Sequence, residues 1–378
     1  MKVEQSYWTA HAGWETEKSS SLDGTASVVL LFGSLAALQD NARLAEVRAR
    51  YPKAPLVGCS TAGEICGTRV RDDSLTATAL RLEHGEIKLA SVEVGEAGDS
   101  FHAGQSLAQA LPAQGLVHVV VLSDGLKVNG TELARGLRDN LPRNVTVTGG
   151  LAGDGTRFQH TLVCADGTPG EGIIAALGFY GERLKVGYGS LGGWDSFGPE
   201  RLITRSKGNV LYELDGHSAL ELYKQYLGEH DAGPAEALLF PLALRSDEEG
   251  YGLVRSVAAV NEDDQSMTFF GDMPEGSYAR LMKANFDRLI DGAAGAAHAG
   301  FETLGSSEPE LALLVSCVGR KLVLKQRIEE EVESVREVLG ENTVLAGFYS
   351  YGEICPHGAI TKCELHNQTM TITTFSER

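Results

Sequence analysis

One unit recurs along this chain and limits its possible folds more than any other feature. An apolar strand, an amphipathic helix, a second short apolar strand, a Gly-rich loop and an acid follow one another. The first copy ends LVGCSTAGEIC, residues 56–66, and the last ends LAGFYSYGEIC, residues 345–355. Gly58 stands six residues before Glu64, and Gly347 six before Glu353. A middle copy ends VTGGLAGD, residues 147–154, one residue shorter, with Asp154 as its acid. A shared tetrapeptide alone means little in a chain of 378 residues. The matched helix, strand, glycine offset and Gly-acid ending mean more. They predict an α/β fold: two related domains with central mixed sheets, helices on the outer faces and repeated strand-helix-strand-loop units.

In such folds ligands lie beyond the carboxyl ends of strands. The loops here carry Cys59, Ser60, Thr61 and Glu64, then Gly149, Gly150 and Asp154, then Tyr349, Ser350, Tyr351 and Glu353. Glycines allow close backbone approach, hydroxyls supply donors, and the acids supply carboxylates. If the loops meet, they form a polar pocket with acidic corners, suited to an amine or amino-acid ligand. Against this stands simple turn chemistry, with each acid capping a turn or pairing with an arginine such as Arg69.

Elsewhere, Leu75–Leu82 and Glu86–Val94 read as a hairpin about Glu83-His84-Gly85. Residues 158–215 read as Gly-jointed, mainly antiparallel strands. The pattern changes near Leu214, which places a domain boundary there: 1–215 and 216–378. Glu275–His298 reads as a long Ala-rich helix and Arg320–Leu339 as one charged helix with a solvated face. Ile360–Leu365 with Met370–Phe375 reads as a terminal hairpin.

Composition excludes several classes. The 51 acids against 33 bases give a net charge of −18, which argues against a nucleic-acid binder and a polybasic membrane anchor. No apolar run reaches the roughly 18 residues of a spanning helix, and the N-terminus lacks a signal-peptide core. The expectation is a cytoplasmic protein without membrane insertion. Six cysteines without a CxxC pair read as free thiols in a reducing compartment. The 45 glycines with only 11 prolines indicate tight turns and close contacts rather than disorder. The chain has no P-loop, HExxH or GxSxG pattern, so it is expected not to be an enzyme. A hydrolase or transferase using Cys59 or Glu64 is the catalytic alternative.

GCSTAGEI at 58–65, GGLAGDG followed by Phe158, FYSYGEICP at 348–356 and LHNQTM at 365–370 together resemble the FIST family of bacterial sensory proteins. The order and the coverage of nearly the whole chain carry the resemblance. It implies an N-terminal FIST domain over 1–215 and a C-terminal one over 216–378. It also implies a ligand-binding sensor in signal transduction, and adds His366 and Asn367 to the pocket. The partner would be a histidine kinase or a cyclic-di-nucleotide signalling protein acting in trans. Some stand-alone members bind haem and sense nitric oxide, so haem enters as a cofactor candidate. The lack of CxxCH excludes covalent haem. His357, beside the last loop, is the first axial candidate and His298, in a small-residue helix, the second. An amino acid or similar small polar metabolite is the alternative ligand.

Overall fold

The computed structural model describes residues 1–378 except 21, 23, 96–98, 228–236, 247–249, 306, 358–361 and 378. The expected α/β architecture is present, with mixed sheets and helices. Three parallel strand pairs carry it. Val28–Gly33 lies beside Leu56–Ser60, Leu116–Ser123 beside Thr146–Leu151, and Leu311–Cys317 beside Val344–Ser350. The first strand of each pair is a buried Val- and Leu-rich run, as a strand covered on both faces must be. A helix joins each pair: Asn41–Arg50, Gly130–Asn140 and Ile328–Leu339. Asp40 and Asn129 cap the first two by accepting from exposed N–H groups of the first turn.

The pairs share one register. Leu31 faces Gly58, Val121 faces Gly149 and Leu314 faces Gly347. A Cβ on any of these glycines would run into the facing residue's main chain. The glycine of the sequence repeat is therefore a close-approach residue. A third strand runs antiparallel beside each pair: Ser74–Arg81, Ile173–Tyr180 and Met370–Ser376.

The three units are interlocked. After each pair, the loop hands the next strand to another unit's sheet. Glu64–Cys66 pairs with Val344–Ser350, Val163–Ala165 with Leu56–Ser60, and Gly352–His357 with Thr146–Leu151. Lys2–Thr9, Glu86–Glu93 and Lys185–Leu191 flank the third strands in turn. Strands from both sides of residue 215 thus share sheets. The three sheets enclose one apolar core that includes Leu30, Phe32, Val120, Phe179, Leu313 and Phe375. Phe32 and Phe348 stack there with ring centroids 4.7 Å apart.

A fourth sheet is inserted between Lys185–Leu191 and the helix Phe286–Leu304. It runs from Asp195–Lys207 to Tyr278–Lys283 and has its own core around Leu211, Phe269 and Leu281.

Several local expectations are corrected. Ser74–Arg81 and Glu86–Glu93 do not pair with each other but lie in different sheets. So do Lys362–His366 and Met370–Ser376; residues 360 and 361 lie outside the described residues. Ser74–Arg81 and Met370–Ser376 are nearly all buried and need strands on both sides, which the chain supplies from far away. The Ala-rich helix starts at Phe286, not Glu275, because Asn285 caps it and Tyr278–Lys283 is a strand. The charged helix is broken: Val318–Leu324 ends at Lys325, whose φ is 49°, and Ile328–Leu339 starts afresh.

Candidate ligand site at the Glu64 corner

The three Gly-rich loops meet at the centre of the molecule. Ala62 N–H donates to Tyr349 O at 2.8 Å, Gly153 N–H to Ser60 O at 2.9 Å, and Tyr351 N–H to Leu151 O at 3.1 Å. These bonds close a ring in which each loop holds the next. The acids do not share a pocket, however. Each is held in a separate corner.

Glu64 starts the strand Glu64–Cys66 and is almost wholly buried. One carboxyl oxygen accepts from Thr61 Oγ1. The other accepts from Ser74 Oγ at 2.6 Å and Ser74 N–H at 3.2 Å. Burial pushes its pKa up to about 7, against the lowering effect of these bonds and of Lys321. The carboxyl therefore changes charge near neutral pH. It lines a cleft of about 510 Å³ with Ser34, Thr61, Asp72, Asp73, Arg157, Lys321 and Lys325. Lys321 Nζ donates to Ala62 O at 2.7 Å and pairs with Asp72. The cleft thus offers a neutralisable acid at its wall and both signs of charge around it.

Glu353 repeats this environment. It accepts from Ser350 Oγ at 2.6 Å, Thr369 N–H at 3.2 Å and Thr369 Oγ1 at 3.0 Å. Burial pushes its pKa up to about 8. Asp154 differs. It accepts from the N–H groups of Phe158 at 2.8 Å, Gln159 at 3.0 Å and His160 at 3.1 Å, and from Tyr351 Oη. Its role is to hold the loop that follows, and Phe158 stacks on Tyr351 at 4.5 Å.

The other candidate residues sit as follows. Cys59 is fully buried in the shared core and its thiol pKa is raised by burial, which removes it from ligand contact and from nucleophilic use. Ser60 Oγ accepts from Leu162 N–H at 2.9 Å. Gly149 and Gly150 are buried sheet residues. Tyr349 Oη donates to Glu331 at 2.5 Å, beside the buried Arg320–Glu331 ion pair. Asn367 accepts from Ser256 N–H at 3.3 Å, and His366 Nε2 lies 3.2 Å from Cys355 O. Both brace the inserted sheet or the neighbouring strand. Arg69 pairs with Glu329 at 2.6 Å, not with Glu64. Of the sequence candidates among the described residues, only Thr61 and Glu64 line the open cleft.

Ser34, Asp72, Asp73, Arg157, Lys321 and Lys325 were not legible as site residues. Ser34 follows the strand Val28–Gly33 and caps the short helix Leu35–Gln39, and the interlocking brings Lys321 from 257 positions beyond Glu64. Spacing to the repeat could have found Ser34, since it follows a strand end in the same unit as Glu64.

The cleft lining does not fit haem. It carries no His, Cys, Met or Tyr for an axial bond and no broad apolar slot. His298 is exposed on the helix Phe286–Leu304. His357 pairs with Lys362 by its backbone, and its side chain lies outside the described residues. His118 is buried against Thr146 and Thr148, and burial lowers its pKa to about 3. Among the described residues no group of three or more His, Cys, Asp or Glu could hold a metal ion. No helix among them is long and apolar enough to cross a membrane.

No curated protein matches the chain. Among solved structures, a crystal structure of cyanuric acid hydrolase from A. caulinodans matches at 12% identity, covering 77% of this chain and 99% of that one. Its TM-score of 0.19 is too low to bear on fold or function. The model of the FIST N domain matches residues 27–217 and that of the FIST C domain residues 219–356. FIST domains are associated with sensing in signal transduction, and together the two matches span most of the chain. The chain belongs to the FIST family.

Proposed function

We propose that this protein is a cytoplasmic sensor of a small polar ligand, bound in the Glu64 cleft, and that it has no catalytic role. The observation that carries this reading is the cleft itself. A buried carboxyl with a pKa near neutrality faces open space, flanked by Asp72, Asp73, Arg157, Lys321 and Lys325. Charges of both signs around a small volume suit a molecule carrying an amine and a carboxylate, such as an amino acid. Ligand contact would reach the rest of the fold through two ties. Lys321 joins the cleft to the helix Val318–Leu324, and Arg69 joins the hairpin after Glu64 to Glu329 on the next helix. A histidine kinase or cyclic-di-nucleotide enzyme reading that change in trans completes the proposal.

Thermal-shift screening and calorimetry with the amino acids test it. A bound amino acid should raise the melting temperature, and Glu64→Gln or Lys321→Ala should weaken it at least tenfold. A melting temperature unmoved by every amino acid would sink the reading. The haem and nitric-oxide branch has no support from the cleft lining. A Soret band on adding haem, shifting with nitric oxide, would restore it.

A further inference from the structure

Three corners of this fold share one chain geometry, and one of them is open. The strand registers place Ser34 in the same position as Asp124 and Cys317. They place Thr61 with Ser350, Glu64 with Glu353, and Asp73 with Gly172 and Gln368. Main-chain bonds agree: Ser34 N–H donates to Ser74 O at 3.0 Å, Asp124 N–H to Ile173 O at 3.0 Å, and Cys317 N–H to Thr369 O at 3.1 Å. The residue before each acceptor is left-handed in all three, with φ of 53° at Asp73, 68° at Gly172 and 64° at Gln368.

Ser34, Thr61, Glu64 and Asp73 all line the open cleft. Their counterparts Cys317, Ser350, Glu353 and Gln368 are all buried. In the middle unit the Asp124 carboxylate fills the corner, accepting from Leu126 N–H, Lys127 N–H and Gly172 N–H at 2.8 Å each and from Thr161 Oγ1 at 2.9 Å. That corner is satisfied by its own chain.

The Glu353 corner is filled differently. The Gln368 side chain lies against Gly319, where a Cβ would collide with its amide. Its Nε2 donates to Leu238 O and Ser256 Oγ at 2.8 Å each, both in the inserted body. Its Oε1 is buried with no partner. A buried amide oxygen left unpaired is a poor permanent filling. Beneath it, Glu353 keeps the hydroxyl and N–H partners that Glu64 has in the open cleft.

We propose that the Glu353 corner is a second, closed copy of the ligand site, plugged by Gln368 and covered by the inserted body. It takes the same class of ligand, a small molecule with an amine and a carboxylate, whose amine replaces the Gln368 Nε2 donor toward Leu238 O and Ser256 Oγ. The class of ligand rests on the reading of the Glu64 cleft; the existence of the second site rests on the matched geometry.

Glycine, the smallest molecule of the class, is the probe, counted per chain by equilibrium dialysis. Gln368→Gly removes the plug and suits the left-handed backbone. Gln368→Asn is the second variant if Gln368→Gly fails to fold by circular dichroism. The wild type should bind one glycine per chain and the unplugged variant two. Adding Glu353→Gln to the unplugged variant should return it to one. No glycine on the wild type but one on the unplugged variant, lost with Glu353→Gln, would overturn the Glu64 reading and support the second site. An unplugged variant that binds no more glycine than the wild type overturns the second site.

Discussion

Glu353 holds its carboxyl out of water, between Ser350 and Thr369, and burial raises its pKa from an ordinary 4.5 to about 8. The folded chain therefore keeps a proton that the unfolded chain releases above about pH 4.5. The linked stability is highest below that value, falls as pH rises toward about 8, and is level beyond. Glu353→Gln has no proton to lose. Its unfolding free energy should match the wild type near pH 5 and exceed it near pH 8 by an amount on the order of 2 kcal/mol, read as a higher melting temperature there. Melting curves across that range check this, and parallel curves would contradict it. A second residue prediction concerns the close-approach glycines. Gly347→Ala places a Cβ against the Leu314 main chain and should cost about 3 kcal/mol in denaturant unfolding. Both residues stood out in the sequence because their constraint is local: a fixed offset within one unit. Lys321 did not, because only the strand exchange brings it to Ala62.

Elements were legible where their burial pattern is local. The three parallel pairs showed as apolar runs, since each is buried on both faces. The two hairpin readings failed because a short connection says nothing about whether its strands pair. The helix Ile328–Leu339 was legible in its charged face but not in its start, since the break rests on one left-handed residue, Lys325. That helix also carries one half of a fully buried ion pair. Glu331 is fully buried, holds Arg320 at 2.8 Å, and accepts from Tyr349 and Ser316. Glu331→Ala leaves a buried guanidinium without its partner and should cost about 3–5 kcal/mol. Glu329→Ala breaks the exposed pair with Arg69 and a part-buried bond from Val70 N–H at 3.3 Å, and should cost about 1 kcal/mol. Urea unfolding of the two variants separates them, and equal losses would refute the distinction.

At the scale of the molecule, strand exchange ties the two family segments together. Residues 1–215 alone would leave Thr146–Leu151 without Gly352–His357, and Glu64–Cys66 without Val344–Ser350. Expressed separately, 1–215 and 216–378 should each fail to give a cooperative melt, whereas co-expression should restore one soluble complex. Two independently folded halves would contradict the interlocked description. The same exchange bears on the ends of the chain. Lys2–Thr9 flanks the third strand of the first unit, the position that Glu86–Glu93 and Lys185–Leu191 reach by following directly from the preceding unit. The Met1 amine lies 3.5 Å from the Glu377 carboxylate. The polypeptide traces a loop of three matching arcs, the third enlarged by the inserted sheet, cut at one junction out of three. Joining its two ends through a short Gly-Ser linker and opening it at Glu182, between the second and third arcs, should yield a circular permutant with the same fold.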